Sequence, residues 1–374
     1  RDCLLSRGLG DVYKRQVNNV TNAEVEKKNA NYSQIRTLNI PRRMELSPKD
    51  TISTTWLVCS PETVGRFSGV AYFFARKVYE ETNIPIGIIN SSWGGTIVET
   101  WTSLEAANTL PQKRLDRYNK NEKLSPPTEY FTRTNKEAKR NDYPSLVYNA
   151  MIHPLLSFAI KGVVWYQGEN NVGNAEPYTD WLTCMISDWR NRWNSELPFY
   201  IIQLPNFDST NKTPLWAEIR DAQRKVLTVP KTHLIVTSDL GDPHDLHPRN
   251  KQEVGMRVAL QVLHHEYGRP DIVSESPMFE RMEINGDKII ITFKNTGSGL
   301  EIRSRYGCLQ GFAIAGEDKK FYWAQGELKD NRIVIWNPKV PNPIAVRYNW
   351  ENNPDGNLYN KDGLPACLFR TDNW

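Results

Sequence analysis

Hydrophobic positions along the chain change their period near residue 270, and the change divides it. From about residue 66 to 267, short apolar runs alternate with stretches in which apolar residues recur every three or four positions. That alternation predicts buried strands separated by amphipathic helices, hence an α/β segment with a mostly parallel sheet covered by helices on both faces. Val70, Phe73, Phe74 and Val78 share one helical face, and Pro85 then introduces the short run Ile86-Gly87-Ile88-Ile89. Ile160 to Tyr166 reads as a second buried strand, followed by a helix whose inner face carries Tyr178, Trp181, Leu182, Met185, Trp189 and Trp193. Phe199 to Leu204 and His233 to Thr237 read as two further strands, with a helix near Trp216 to Leu227 separating them. Pro248 is placed to open a last helix carrying Val254, Val258 and Val262 and ending by Gly268.

Beyond Pro270 the pattern becomes short alternating segments separated by Gly, Asn, Asp and Pro turns: Lys288 to Phe293, Gly311 to Ala315, Lys320 to Ala324, Arg332 to Trp336 and Ile344 to Trp350. Residues 271–374 are therefore expected to form a β-rich module. It contains no concentration of catalytic side chains, so packing or sugar binding is its expected role. The first sixteen residues, RDCLLSRGLGDVYKRQ, carry neither an apolar signal-peptide centre nor a period that continues past Gln16. They resemble translated sequencing adapter, and the expectation is a non-native tail over 1–16 with native sequence resuming near Val17.

Composition narrows the class without fixing it. The 374 residues carry a net charge of +4, and the first sixteen contribute two of those charges. With basic and acidic residues interspersed, no nucleic-acid partner is expected. No apolar run approaches the roughly 18 residues of a membrane span. Five cysteines, Cys3, Cys59, Cys184, Cys308 and Cys367, show no metal-ligand or disulfide spacing. Twelve tryptophans and sixteen tyrosines hint at sugar binding, since flat aromatic rings stack on sugars as well as filling cores.

In an open α/β sheet ligands bind outside the carboxyl ends of the strands, and three strand-end loops are unusual. Asn90-Ser91-Ser92-Trp93-Gly94-Gly95-Thr96 holds a glycine pair that lets backbone amides approach a substrate oxygen, or simply makes a tight turn. Gln167-Gly168-Glu169-Asn170-Asn171 offers side-chain amides to an oxyanion, or a hydrogen-bonded loop. The stretch Ser238 to Pro248 holds His244 and His247 with Asp239, Asp242 and Asp245, a set suited to a general base and the carboxylate that orients it. A metal site is the weaker reading of the same cluster, and none is expected. The remaining histidines, His153, His233, His264 and His265, are expected to be structural or on the surface.

Three blocks, NSSWGGTIVETW (Asn90 to Trp101), IKGVVWYQGENN (Ile160 to Asn171) and GDPHDLHPRNKQEVG (Gly241 to Gly255), resemble the bacterial sialate O-acetylesterases of the SGNH-hydrolase superfamily. CSPETVGRFSGVAYFFAR, YNAMIHPLL and KDGLPACLFRTDNW support the resemblance, which runs from about Val17 to Trp374. It implies a three-layer, flavodoxin-like esterase domain over 17–270 followed by the β-rich module. The implied activity is removal of O-acetyl groups from sialic acid by serine-hydrolase chemistry, with no cofactor. It also implies a periplasmic or extracellular location. The oligomeric state is left open.

By position, the resemblance makes His247 the base and Asp245 its orienter. Gly94, Gly95, Gln167, Gly168 and Asn170 become the oxyanion and substrate contacts, and Ser91, Ser92 and Glu169 lesser members of the site. The carboxylate stands two residues before His247, where the superfamily usually has three, so Asp242 is the other orienter to consider. The block that supplies the nucleophilic serine is expected upstream of Val17 and has no counterpart here. The sheet is accordingly expected to lack its first strand, with exposed apolar edges, poor solubility and little activity. A plant-polysaccharide deacetylase, for acetylxylan for instance, and a noncatalytic carbohydrate-binding protein are the alternatives.

Overall fold

The computed structural model describes residues 2–8, 16–126, 142–208 and 213–374, the first stretch as a backbone strand. By its internal contacts the chain forms two units. The first comprises residues 1–202, 222–234 and 249–262; the second comprises 203–221, 235–248 and 263–374. Residues 203–221 and 235–248, which a linear division at 270 assigns to the esterase segment, thus group with the C-terminal module.

The first unit is organised by a seven-stranded sheet. Its strands are β1 (Asp2–Gly8), β2 (Tyr32–Asn39), β3 (Trp56–Cys59), β4 (Ile86–Asn90), β5 (Gly162–Tyr166), β6 (Phe199–Ile202) and β7 (Thr232–Ile235), in the order β3-β2-β4-β1-β5-β6-β7. β2, β4, β1, β5 and β6 run parallel, and β3 closes one edge antiparallel to β2. β4, β5 and β6 are the apolar runs expected from the sequence, each one or two residues shorter or longer than its run. Tyr166 and every other residue of β5 is buried, as a strand covered on both faces requires.

The sheet does not lack its first strand. Asp2–Gly8 fills the slot separating β4 from β5, with Leu4 opposite both Ile88 and Gly162. An empty slot there would leave the facing N–H and C=O groups of two buried strands without partners, and a ladder is made by backbone groups that any extended segment supplies. The missing serine block, on which the expectation rested, does not report that.

Helices cover both faces. Adjacent strand residues point to opposite sides. Trp165 meets Trp189 of the helix Ala175–Trp193 edge to face at 6.0 Å, whereas Tyr166 lies under Lys251 of the helix Lys251–Glu266, the ammonium 5.4 Å from its ring centre. Those helices therefore lie on different faces, and the arrangement is three layers. The helix Gly69–Thr82 carries the expected buried face, Val70, Phe73, Phe74 and Val78 included.

One boundary and two strands differ from expectation. The last helix starts at Lys251, three residues after Pro248, because the Asn250 Oδ1 accepts the Glu253 N–H and caps it. The polar, half-exposed strand β2 carries too little apolar signal to be seen in the sequence, and β3, apolar but only four residues long, is too short to show a period.

In the second unit β8 (Met278–Asn285) to β17 (Phe369–Arg370) are short and antiparallel. With β9 (Lys288–Lys294), β11 (Phe312–Ala315), β12 (Phe321–Trp323), β13 (Gln325–Lys329), β14 (Arg332–Trp336) and β15 (Ala345–Tyr348), two four-stranded sheets, β12-β11-β15-β17 and β13-β14-β9-β8, pack around one core. Ile289, Ile291, Ile333 and Ile335 come from one sheet, Phe312, Ile314, Val346, Tyr348 and Phe369 from the other. The five segments read from the alternation are β9, β11, β12, β14 and β15.

Gly255 sets how closely the helix that contains it approaches Gly69–Thr82. A Cβ there would lie 2.7 Å from the Phe73 Cβ and 2.8 Å from the Val70 carbonyl oxygen. Gly255→Ala should therefore destabilise the protein by about 1–2 kcal/mol, overpacking outweighing the roughly 1 kcal/mol gained in helix propensity. Urea denaturation measures this, and a stabilised variant would show that the helices do not pack at this separation.

Candidate active site

Strand order reverses at β1: β2, β3 and β4 lie to one side of it, β5, β6 and β7 to the other. The carboxyl ends of β4, β1 and β5 thus border the crevice in which an open sheet binds ligands. The residues after β1, 9–15, fall outside the described ones. The loops after β4 and β5 are described in full, and they interlock.

Gln167 is fully buried at the end of β5. Its Nε2 donates to the Thr96 carbonyl at 3.0 Å and to the Asn171 Oδ1 at 2.7 Å. The Tyr178 hydroxyl lies 3.0 Å from both its Oε1 and its carbonyl oxygen, and the Gln223 Nε2 donates to that carbonyl at 2.8 Å. Gln167 is therefore committed to holding the loop rather than to a substrate. Gly168 follows at φ +153°, a conformation a side chain would strain, and turns the chain into the short 3₁₀ turn Glu169–Asn171.

Asn171, the one residue of that stretch given no role in the sequence, is the joint of the two loops. Its Oδ1 accepts the Val98 N–H at 3.1 Å as well as the Gln167 Nε2, and its Nδ2 donates to the Glu99 Oε2 at 3.0 Å. Asn170 is exposed, and its Nδ2 reaches the Gly95 carbonyl at 2.5 Å. Gly95 itself sits at φ +72° with nothing within 4 Å of where a Cβ would be. The conformation and not the space selects glycine there, and the site around it is open.

The two serines of the first loop are engaged by the scaffold. The Ser91 Oγ, buried, donates to the Met151 carbonyl at 3.2 Å, and the Ser92 Oγ to the Asn90 Oδ1 at 3.0 Å.

In the second unit the residues leading to His247 form consecutive side-chain-to-backbone turns. The Asp242 Oδ1 accepts the His244 N–H at 2.8 Å, and the Asp245 Oδ1 accepts the His247 N–H at 2.9 Å. The Asp245 carboxylate also stands 3.8 Å from the His247 Nδ1, longer than a hydrogen bond but on the side of the ring an orienting carboxylate occupies. Asp242 faces His244 instead, so of the two carboxylates Asp245 is the one beside His247. Other histidines serve the scaffold: the His153 Nδ1 meets the Lys49 carbonyl at 3.0 Å, and the His264 Nδ1 the Ile272 carbonyl at 2.8 Å. His233 stacks on Tyr200 with ring centres 5.1 Å apart.

Glu99, missed in the sequence because its loop partner lies seventy-two residues away, is a fully buried carboxyl. Burial pushes its pKa up, opposed by the hydrogen bond from Asn171. An acid whose pKa is raised on folding favours the native state at low pH and penalises it as pH rises through the folded value. Glu99→Gln keeps an acceptor for Asn171 and removes that penalty, so its stability relative to the parent should increase from pH 4 to pH 8. Urea midpoints across that range measure it; a relative loss at high pH would mean that partners stabilise the carboxylate more than burial penalises it.

Residues 7–264 match the family model described as "SASA: Carbohydrate esterase, sialic acid-specific acetylesterase". Among curated proteins the chain is similar to the sialate O-acetylesterase of Homo sapiens, 30% identical over 301 residues that make up 72% of this chain and 54% of that protein. The sialate O-acetylesterase of Mus musculus is 27% identical over 384 residues, 90% of this chain and 70% of that protein. The chain spans about half the length of the rat, orangutan and human relatives. Among solved structures, a carbohydrate acetylesterase from Xanthomonas citri superposes with a TM-score of 0.88 at 35% identity, covering 100% of this chain and 81% of that one. With its matched segment covering both interlocked loops and the His247 turn, the chain belongs to the family of carbohydrate esterases described as sialic acid-specific acetylesterases.

Proposed function

We propose that this is a carbohydrate O-acetylesterase of the SGNH type, removing O-acetyl groups from sialic acid without metal or cofactor. The observation that carries the reading is the clamp made by Asn171 and Gln167. It joins the loops that hold Gly95 and Asn170 at the carboxyl ends of β4 and β5, bordering the sheet's switch point. The comparisons supply the substrate class.

In this reading a serine hydroxyl gives its proton to His247 as its oxygen attacks the acetyl carbonyl. Gly94, Gly95, Gly168 and Asn170 surround the oxyanion, and His247 returns the proton to the departing sugar oxygen. Water then releases acetate by the same steps. Asp245 holds the imidazole's tautomer. Secretion to the periplasm or beyond accompanies the same reading, because O-acetylated glycans are met there.

The nucleophile is the piece of this reading to which no residue is assigned. Leu9 to Arg15, which follow β1, contain no serine, threonine or cysteine, and Ser91 and Ser92 are bonded to the scaffold. Hydrolysis of 4-nitrophenyl acetate by this chain is therefore expected to match that of His247→Ala within about twofold, since a triad without its nucleophile loses several orders of magnitude in rate. Clear turnover that vanishes in His247→Ala would place the nucleophile within this chain. In an active form of the enzyme, acetate release from O-acetylated sialic acid should exceed that from acetylated xylan. The reverse preference would make it a polysaccharide deacetylase.

A further inference from the structure

The second unit contains a set of polar contacts that the reaction itself does not use. They run from the loop after β15 (Ala345–Tyr348) to the turn that carries His247, and Asn206 is the link. The Asn206 Oδ1 accepts the Gly241 N–H at 2.6 Å, and its Nδ2 donates to the Asn353 Oδ1 at 2.7 Å. Gly241 is pressed so closely that a Cβ there would lie 2.0 Å from the Asn206 carbonyl oxygen and 2.2 Å from its Oδ1. Two residues on, the Asp208 N–H donates to the Pro243 carbonyl at 3.0 Å.

The segment 205–208 is itself held from the C-terminal side. The Phe207 N–H donates to the Asn352 carbonyl at 3.2 Å, and the Asn352 Oδ1 accepts the Trp216 N–H at 2.9 Å. The Trp216 Nε1 donates to the Pro205 carbonyl at 2.6 Å, and the buried Arg220 guanidinium donates to the carbonyls of Glu351 and Asn352. A second tether is the Tyr359 hydroxyl, 3.3 Å from the Asp239 Oδ2.

From Gly241 onward the turn is bonded at short intervals. Asp245 N–H meets the Asp242 carbonyl at 3.3 Å, Asp242 holds His244, and Asp245 holds His247. With no stretch of more than three residues free of a hydrogen bond, a displacement at Gly241 is passed to His247 rather than absorbed by a hinge. The side-chain amide of Asn206 suits both directions, because it offers one acceptor and a donor pair on a single rigid plane.

We propose that Asn206 is a positioning residue for the esterase base: it couples the β-rich region, through Asn352 and Asn353, to the turn that presents His247. This rests on the reading of His247 as the base. The module is then part of the catalytic apparatus and not an appendage. A hydrolase base is effective only when its imidazole is fixed within a fraction of an ångström of its partners, so fixing the turn from outside has a direct chemical use.

The test compares Asn206→Ala, Asn206→Asp and Asn353→Ala in the full chain by amide hydrogen exchange and by NMR of the histidine side chains, with His247→Ala for assignment. Asn206→Ala should raise exchange of the 241–247 amides at least tenfold and shift the His247 resonances and their titration midpoint. His153, His233, His264 and His265 should keep theirs, and the melting transition should remain cooperative. Asn206→Asp retains the acceptor for Gly241 and should restore exchange to within threefold of the parent. Asn353→Ala should show an intermediate increase. Unchanged exchange over 241–247, or an equal change at all histidines, overturns the proposal, the second by showing general loosening. Because these readouts need no turnover, they stand apart from the esterase assay: activity that survives His247→Ala would overturn the base assignment and leave the coupling measurement intact.

Discussion

The carboxamide of Asn171 is the contact on which the first unit's site depends. One side chain satisfies the Val98 N–H, the Gln167 amide and the Glu99 carboxyl. Each of those groups is buried, so removing their common partner takes a hydrogen bond from all three, at a cost of about 1–3 kcal/mol for a group left with no other partner. The loops after β4 and β5 consequently cannot move independently. Gly95 and Asn170, which such an esterase would turn toward an oxyanion, ride on loops stiffened by buried residues that bond to one another. Preorganisation of this kind lets donors stabilise a developing charge without rearranging during the reaction.

How much of this was legible in the sequence depends on whether the information is local. β4, β5 and β6 and their helices announced themselves because strands buried on both faces are continuous apolar runs and the helices beside them keep one apolar stripe. β2 did not, because its burial alternates with exposed polar residues and its β-bulge near Arg36 breaks even that pattern. β1 did not, because what recruits it is the unpaired backbone of its neighbours. The polar loops were visible as loops, yet their division of labour was not. Gln167 and Asn171 differ by four positions and read alike, but the first is locked by Tyr178 and Thr96 while the second joins two loops. Glu99 and Asn206 were silent, since each acquires meaning only from a partner far away in sequence.

The C-terminal module shows the same limit at a larger scale. Its strands were read as a tail that begins after Pro270, and most of them are where the alternation put them. Its compact unit nevertheless takes in residues 203–221 and 235–248, two pieces of chain that leave the parallel sheet and return to it. Composition changes sharply at 270, whereas contacts do not follow composition. A side-chain amide at 206 and a glycine at 241 carry more of the architecture than the apolar pattern around them suggests.

The central position of β1 has a consequence for how the molecule is assembled during synthesis. Leu4 finds its two neighbours at Ile88 and Gly162, so β1 cannot complete its pairing until β5 has been made. Until then β2, β3 and β4 can associate only as a half-sheet with one open parallel edge, a surface that recruits any extended segment within reach. Insertion of β1 between β4 and β5 closes two ladders whose partners are far apart in sequence, the kind of pairing whose loop-closure entropy makes folding slow.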